Sequence, residues 1–428
     1  MYRKIICTFF SLTIIPIAIV SVQQFASVPL GNTFVWWVVE VIILFILLIA
    51  RLSIFKRENK KNFRFVKWYL IWVSICLVRG VMISEIYWDY KALISNTFIL
   101  YLPLVSYVVT DNEMLQSLLS YFVKYALPLA IPVFFFLDMG AWGWYLYPVT
   151  FLMLFFPVLK LHWKVGLIAI SLLCILGDIS ARSHVIKYSI PILFLSFYYL
   201  RFFIASSKIM KFARIIFIIA PWVMFFLAVS GIFNVFKMNE YIHSDKIEQE
   251  STYDSEGNYE QSMIQDSRTF IYEEVIHSAI KYKYWLFGRS PARGNETVAF
   301  ASLSEITGRK ERLRNEANIP NVFTWMGLIG VILFFIIYYK ASYMAIFRSN
   351  NMYSKLIGVF VAFRWLYAWI EDCFLYDTNN LVIWILIGAC LSRSFRSMNN
   401  LEVKLWARGI FDKKYALAYK KYTMSGVG

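Results

Sequence analysis

With 428 residues, of which 59% are hydrophobic and only 16% charged, the chain falls outside the range of soluble domains, where about a quarter of residues are charged. The net charge of +16 does not indicate nucleic-acid binding. The polar stretch 237–320 balances to −3 and leaves +19 elsewhere, where anionic lipid and the positive-inside bias account for it, and no nucleic-acid-binding module accompanies the charge.

A spanning helix needs about 17–20 apolar residues. On that rule the predicted spans are 5–20, 33–52, 68–83, 93–109, 118–137, 145–159, 165–179, 185–205, 215–236, 321–339, 356–370 and 381–391. The expected fold is all-α: a polytopic membrane protein with about twelve transmembrane helices and one large, partly helical loop. Residues 1–236 carry the first nine spans, 237–320 the loop, 321–395 the last three spans and 396–428 a basic tail.

Lysine and arginine cluster at Arg3 and Lys4, at 51–67, at Lys160 and Lys164, at 201–214, at 340–355 and beyond Arg393. Alternating spans put all of these on one side, which the positive-inside rule makes cytoplasmic, with both termini there and the loop outside. The acidic turn at 111–113 breaks the pattern. Five cysteines without CxxC spacing predict neither a disulfide framework nor a zinc site.

Within the loop, 239–265 is acidic and poor in aliphatic residues, so an irregular segment is expected. Residues 267–287 show a helical stripe of Ile271, Val275, Ile276, Ala279 and Ile280, with Asp266 or Ser267 as start and Gly288 as stop. A second short helix is expected over 303–316.

Six arginines fall on the loop side against the positive-inside trend: Arg79, Arg182, Arg268, Arg289, Arg293 and Arg364. Arginine binds phosphate oxygens in a fork and stays charged at any working pH. Each also has a plainer reading: Arg364 can pair with Glu371 along one helix face, and Arg79 can reach the interface. Glu40 reads as a buried structural acid. A sugar on a polyprenyl pyrophosphate is an outer-leaflet substrate suited to such arginines. Attack by a hydroxyl on its anomeric carbon builds negative charge on the leaving pyrophosphate, which fixed guanidinium groups stabilise without metal or cofactor.

Two segments, GDISARSHVIKYSI and DSRTFIYEEVIHSAIKYKYWLFGRSPARGNE, followed by TWMGLIGVILFF with its Gly-x-x-Gly at Gly327 and Gly330, resemble the O-antigen polymerase and ligase superfamily. The resemblance implies an inverting glycosyltransferase of the bacterial inner membrane. Its substrate would be undecaprenyl-pyrophosphate-linked oligosaccharide, transferred to an acceptor sugar hydroxyl, with a chain-length regulator as a possible partner beside membrane lipid. Arg182 and Arg268 are the expected pyrophosphate ligands, Glu316 and His277 the candidate bases, and Arg289, Arg293, Arg364, Arg79 and Tyr272 the expected substrate contacts; Glu273, Glu274 and His184 are further candidates. The ligases' histidine before the Gly-x-x-Gly is absent here, where Glu316, Ala317, Asn318 and Asn321 stand. Polymerase is therefore the leading expectation. Ligase, a flippase for lipid-linked oligosaccharide and a non-catalytic assembly component are the alternatives.

Overall fold

The computed structural model describes residues 2–177, 182–200, 206–234, 236–237, 268–299, 305, 307–372 and 374–424. The expected features of 239–265 and the Asp266 or Ser267 cap lie outside them. Among the described residues, seven helical segments are long and apolar enough to cross a membrane. The chain is an all-α polytopic membrane protein.

The first stretch bends at Thr13 between α1 (Tyr2–Leu12) and α2 (Ile14–Val20). Then come α3 (Thr33–Ile54), α4 (Arg64–Ile83), α5 (Tyr87–Tyr101) and α6 (Val105–Val108). Next are α7 (Asn112–Tyr121) and α8 (Leu127–Phe134). Side-chain caps open several helices: Asn32 accepts from the Val35 amide at 2.9 Å, and Asp111 from the Glu113 amide at 3.0 Å.

The expected span 145–159 is not a single helix. It breaks into α9 (Trp142–Tyr145) and α10 (Pro148–Met153), because Pro148 and Pro157 lack amide donors. Every residue of α10 is buried, so its irregular flanks are shielded by protein, a setting in which broken backbone is tolerated at membrane depth.

After α11 (Leu161–Leu176), α12 (Arg182–Tyr199) and α13 (Ser206–Val229) comes the loop helix α14 (Thr269–Lys281), shorter than expected. Within the expected 303–316 helix, Glu305 and Thr307 are helical, but the segment then turns and forms half of a two-residue antiparallel pair, β1 (Asn295–Glu296) with β2 (Glu311–Arg312). Three helices form the centre: α15 (Asn318–Phe347), α16 (Met352–Tyr367) and α17 (Thr378–Leu391). All 14 residues of α17 are buried. At 1.5 Å per residue it is only about 21 Å long, a length tolerated because protein rather than lipid surrounds it. By contrast α3 exposes Phe34, Ile42, Phe45 and Leu52, and α13 exposes Phe212, Phe226 and Val229, as lipid-facing helices do.

The basic clusters gather at one end of the bundle. Arg393 donates its amide to Asn59 Oδ1 at 2.9 Å, and Lys340 Nζ donates to the Lys61 carbonyl at 2.8 Å. The terminal helices α18 (Arg393–Ser397), α19 (Asn400–Phe411) and α20 (Lys413–Met424) sit there, with Lys160 paired to Asp412 at 3.0 Å. The off-pattern acidic turn also belongs to this end: Asp111 binds Arg3 at 2.8 Å, and Glu113 faces Lys420 at 3.6 Å. Its carboxylates are counter-charges to the basic surface. The polar loop packs on the opposite end.

Candidate functional site

The connection 368–377 between α16 and α17 is the hub of the loop end. Asp377 caps α17, its Oδ1 accepting from the Asn380 amide at 2.7 Å. The Asn318 amide at the start of α15 donates to both the Ala368 and Glu371 carbonyls at 3.1 Å, tying α15 to the end of α16 and the connection that follows it.

Five cations reach this hub. Arg268 donates Nε to the Ile370 carbonyl at 3.1 Å and Nη1 to Glu316. Arg312 holds the other Glu316 oxygen at 2.9 Å. Arg314 donates to the Phe374 carbonyl, its Nε 3.4 Å from Asp372. Lys187, one turn into α12, pairs with Glu371 and lies 3.9 Å from the Trp144 ring centre. Arg364, 1% exposed, donates to Asn379 Oδ1 at 3.0 Å. Glu371 pairs closely with Lys187, a lysine from another helix, and the expected Arg364 acts on the same carboxylate through its charge. Against these five charges stand Glu316, Glu371, Asp372 and Asp377.

Burial opposes ionisation of Glu371, yet the Lys187 charge and hydrogen bond hold its carboxyl below the usual range. Burial raises Asp372 despite Arg314, and pushes Asp377 up to about 7.

Arg182 heads α12; its side chain, like Asp178, Ser180 and Ala181, lies outside the described residues. The backbone beside it is informative, because the Ser183 carbonyl accepts from Tyr367 Oη at 3.4 Å. The start of α12 and Arg268 therefore meet the same stretch, 367–371.

The remaining arginines are engaged elsewhere. Arg79 donates to the Phe287 and Gly288 carbonyls, each at 2.8 Å. Arg293 grips Glu311, and Arg289 reaches the same carboxylate at 3.0 Å while donating to the Gly294 carbonyl at 2.7 Å. Arg309 binds Asp89 at 3.1 Å and also Glu85. This cluster fastens the loop to α4 and α5. A single cavity shared by six arginines is thus replaced by two clusters, and only Arg268, Arg364 and the backbone of Arg182 belong to the hub.

Beside the hub runs a largely apolar groove of about 650 Å³ between α13, α14 and residues 366–370. His277 and Glu273 line it, as do Ile276 and Ile280, the exposed part of the expected stripe. Tyr272 lies at its base, donating to the Trp369 carbonyl at 2.6 Å and stacked on the Trp369 ring; burial raises its hydroxyl well above the ordinary range. From Thr269 to His277 the helix rises about 12 Å, so His277 stands at the far part of the groove from Glu316. Two other candidate bases are committed: Glu274 accepts from the Val298 and Ala299 amides at 2.7 and 2.9 Å, and His184 is buried edge-on against Trp144. Of the candidates at the hub, Glu316 is the half-exposed carboxylate.

Lys187, Arg312 and Arg314 were not singled out from sequence. Lys187 carried a usable signal, since a lysine inside a span normally has a partner or a task. The other two sit in a segment read as a helix, where spacing says nothing about convergence.

No protein-family model matches the chain, and no curated protein matches it. The class defined by fold and site is a polytopic helical membrane protein with a charged hub and an apolar groove at its loop end.

Proposed function

We propose that the chain is an inner-membrane polysaccharide polymerase, extending glycan from a polyprenyl-pyrophosphate carrier at the end bearing the loop. The observation that carries this reading is the meeting of Arg268 and the start of α12 on residues 367–371 beside the apolar groove. A diphosphate with a long hydrocarbon tail needs both: fixed cations and an adjacent apolar channel. On this reading the chain crosses the membrane twelve times, with α9 and α10 as the broken sixth pass and the basic end in the cytoplasm.

Arg182 and Arg268 hold the pyrophosphates, with Arg312 and Arg364 adding field. The acceptor hydroxyl oxygen forms a bond to the anomeric carbon, and the bond from that carbon to pyrophosphate breaks with both its electrons leaving on phosphate. Glu316, released from Arg268 as phosphate takes its place, receives the hydroxyl proton.

The test is glycan chain length in cells carrying Arg268→Ala at unchanged protein level. Short or single repeats are expected, and normal long chains remove Arg268 from the mechanism. A flippase reading draws on the break in α15 at Gly327, since transporters use interrupted helices. Purified protein in vesicles separates the two: a polymerase lengthens lipid-linked repeats, while a flippase only moves them.

A further inference from the structure

A second, polar pocket of about 620 Å³ opens at the basic end, across the bundle from the loop. Lys61, Arg348, Arg393 and Arg396 line it, with Met344 and Phe347 as apolar neighbours. Its frame is well tied: Arg396 Nη1 donates to the Arg348 carbonyl at 2.6 Å, and the Asn350 amide to the Arg396 carbonyl at 2.9 Å.

The charge here is unbalanced. Arg396 is only 6% exposed, and its Nε has no hydrogen-bond partner among the described residues. Glu58 also lines the pocket, yet among the described residues no carboxylate pairs with Arg348, Arg393 or Arg396. Three other cations at this end do have carboxylate partners: Arg3 has Asp111, Lys160 has Asp412 and Lys420 has Glu113. A buried guanidinium without a counter-charge is costly unless an anion completes it. Guanidinium groups match phosphate oxygens in geometry as well as charge.

We propose that this pocket binds the phosphate of an anionic membrane lipid. The lipid source is favoured over a soluble phosphate by position. The pocket lies where α15 ends, and the half-exposed Phe347 and Met344 offer apolar contact next to the cations, as a headgroup joined to acyl chains requires.

The experiment uses the full chain in phosphatidylcholine nanodiscs, titrated with phosphatidylglycerol, with inorganic phosphate as a separate arm. Lipid retained in native mass spectrometry and thermal stabilisation are the readouts. Phosphatidylglycerol is expected to bind and stabilise. Arg348→Gln and Arg393→Gln, at exposed side chains, should each weaken binding roughly fivefold, while Arg393→Lys restores most of it. Lys413→Gln with Lys414→Gln, outside the pocket, should change little. A size-exclusion profile like that of the unaltered protein verifies the fold of each variant. Binding undiminished in both Arg348→Gln and Arg393→Gln overturns the pocket. Saturation by inorganic phosphate with no preference for phosphatidylglycerol over phosphatidylcholine overturns the lipid assignment.

Discussion

Gly288 and Gly327 meet backbone to backbone: a Cβ on Gly288 would lie 2.5 Å from the Gly327 amide nitrogen, and one on Gly327 would overlap the Leu286 carbonyl oxygen. Both have positive φ, +72° and +65°. Gly327 interrupts α15, and the loop turn repairs the interruption. Leu328 donates its amide to the Trp285 carbonyl at 2.9 Å, the Thr324 carbonyl accepts from the Arg289 amide at 2.7 Å, and Trp72 Nε1 takes the Met326 carbonyl at 2.9 Å. Backbone groups freed at membrane depth must find such partners.

Gly288→Ala and Gly327→Ala should each unlock this contact. Left-handed backbone costs an L-residue about 1–2 kcal/mol, and the collision with main chain adds to it. Lower thermal stability is expected, together with faster proteolysis in 289–317 at fixed protease. Wild-type proteolysis rates in both variants would refute the lock.

Lys187→Ala removes the ion-pair partner of the buried Glu371 carboxylate and leaves it to Tyr367 and the Arg364 charge. Breaking such a pair typically costs about 3–5 kcal/mol, enough to reduce folded yield. Adding Glu371→Gln should recover much of the loss. A double variant no better than Lys187→Ala alone, scored by thermal melting in detergent, would speak against the pairing.

The pH profile of stability should have two limbs. Glu371 and Glu311 both titrate below the usual carboxylate range: burial opposes their ionisation, but Lys187 for the first and Arg293 with Arg289 for the second outweigh it. Their stabilisation is complete above pH ~4.5 and is lost as pH falls through the lower folded values. Asp377, raised from 3.8 to about 7, acts oppositely: its burial costs stability progressively as pH rises from about 4 to 7. Because asparagine also caps helices, Asp377→Asn should keep the cap and flatten the upper limb. Melting temperatures across pH 3–8 would reveal an unchanged upper limb if this assignment is wrong.

For the proposed transfer, Arg268→Lys should not substitute for arginine, since lysine lacks the fork that spans two oxygens. Loss of one such donor typically costs about 10²–10³ in rate. Glu316→Gln should lower the rate while leaving carrier binding nearly intact, whereas Arg268→Lys should weaken both. Elongation rates and carrier retention in vesicles distinguish them, and equal effects on binding would deny Glu316 the role of base.

The membrane class was legible because lipid selects on composition in a window. The ranges 33–52 and 68–83 fall within α3 and α4, and the loop was visible as the polar break in an apolar chain. The 145–159 segment was misread because hydropathy does not distinguish lipid contact from burial in protein. Within the loop, the stripe around Ile271 and Val275 marked a real helix, but the β1–β2 pair, two residues long, leaves no periodicity to read.

What the amino-acid order alone determined is which segments are apolar, which end is basic, and that arginine accumulates around the loop, all properties of local composition. Only the tertiary structure decided how those arginines divide, because partner choice depends on contacts between residues far apart in the chain. Arg293 and Arg268 are separated by a short helix and turn, yet one closes on Glu311 to fasten the loop and the other joins Glu316 at the hub. Lys187 entered the site for the same reason, through Glu371, 184 residues away.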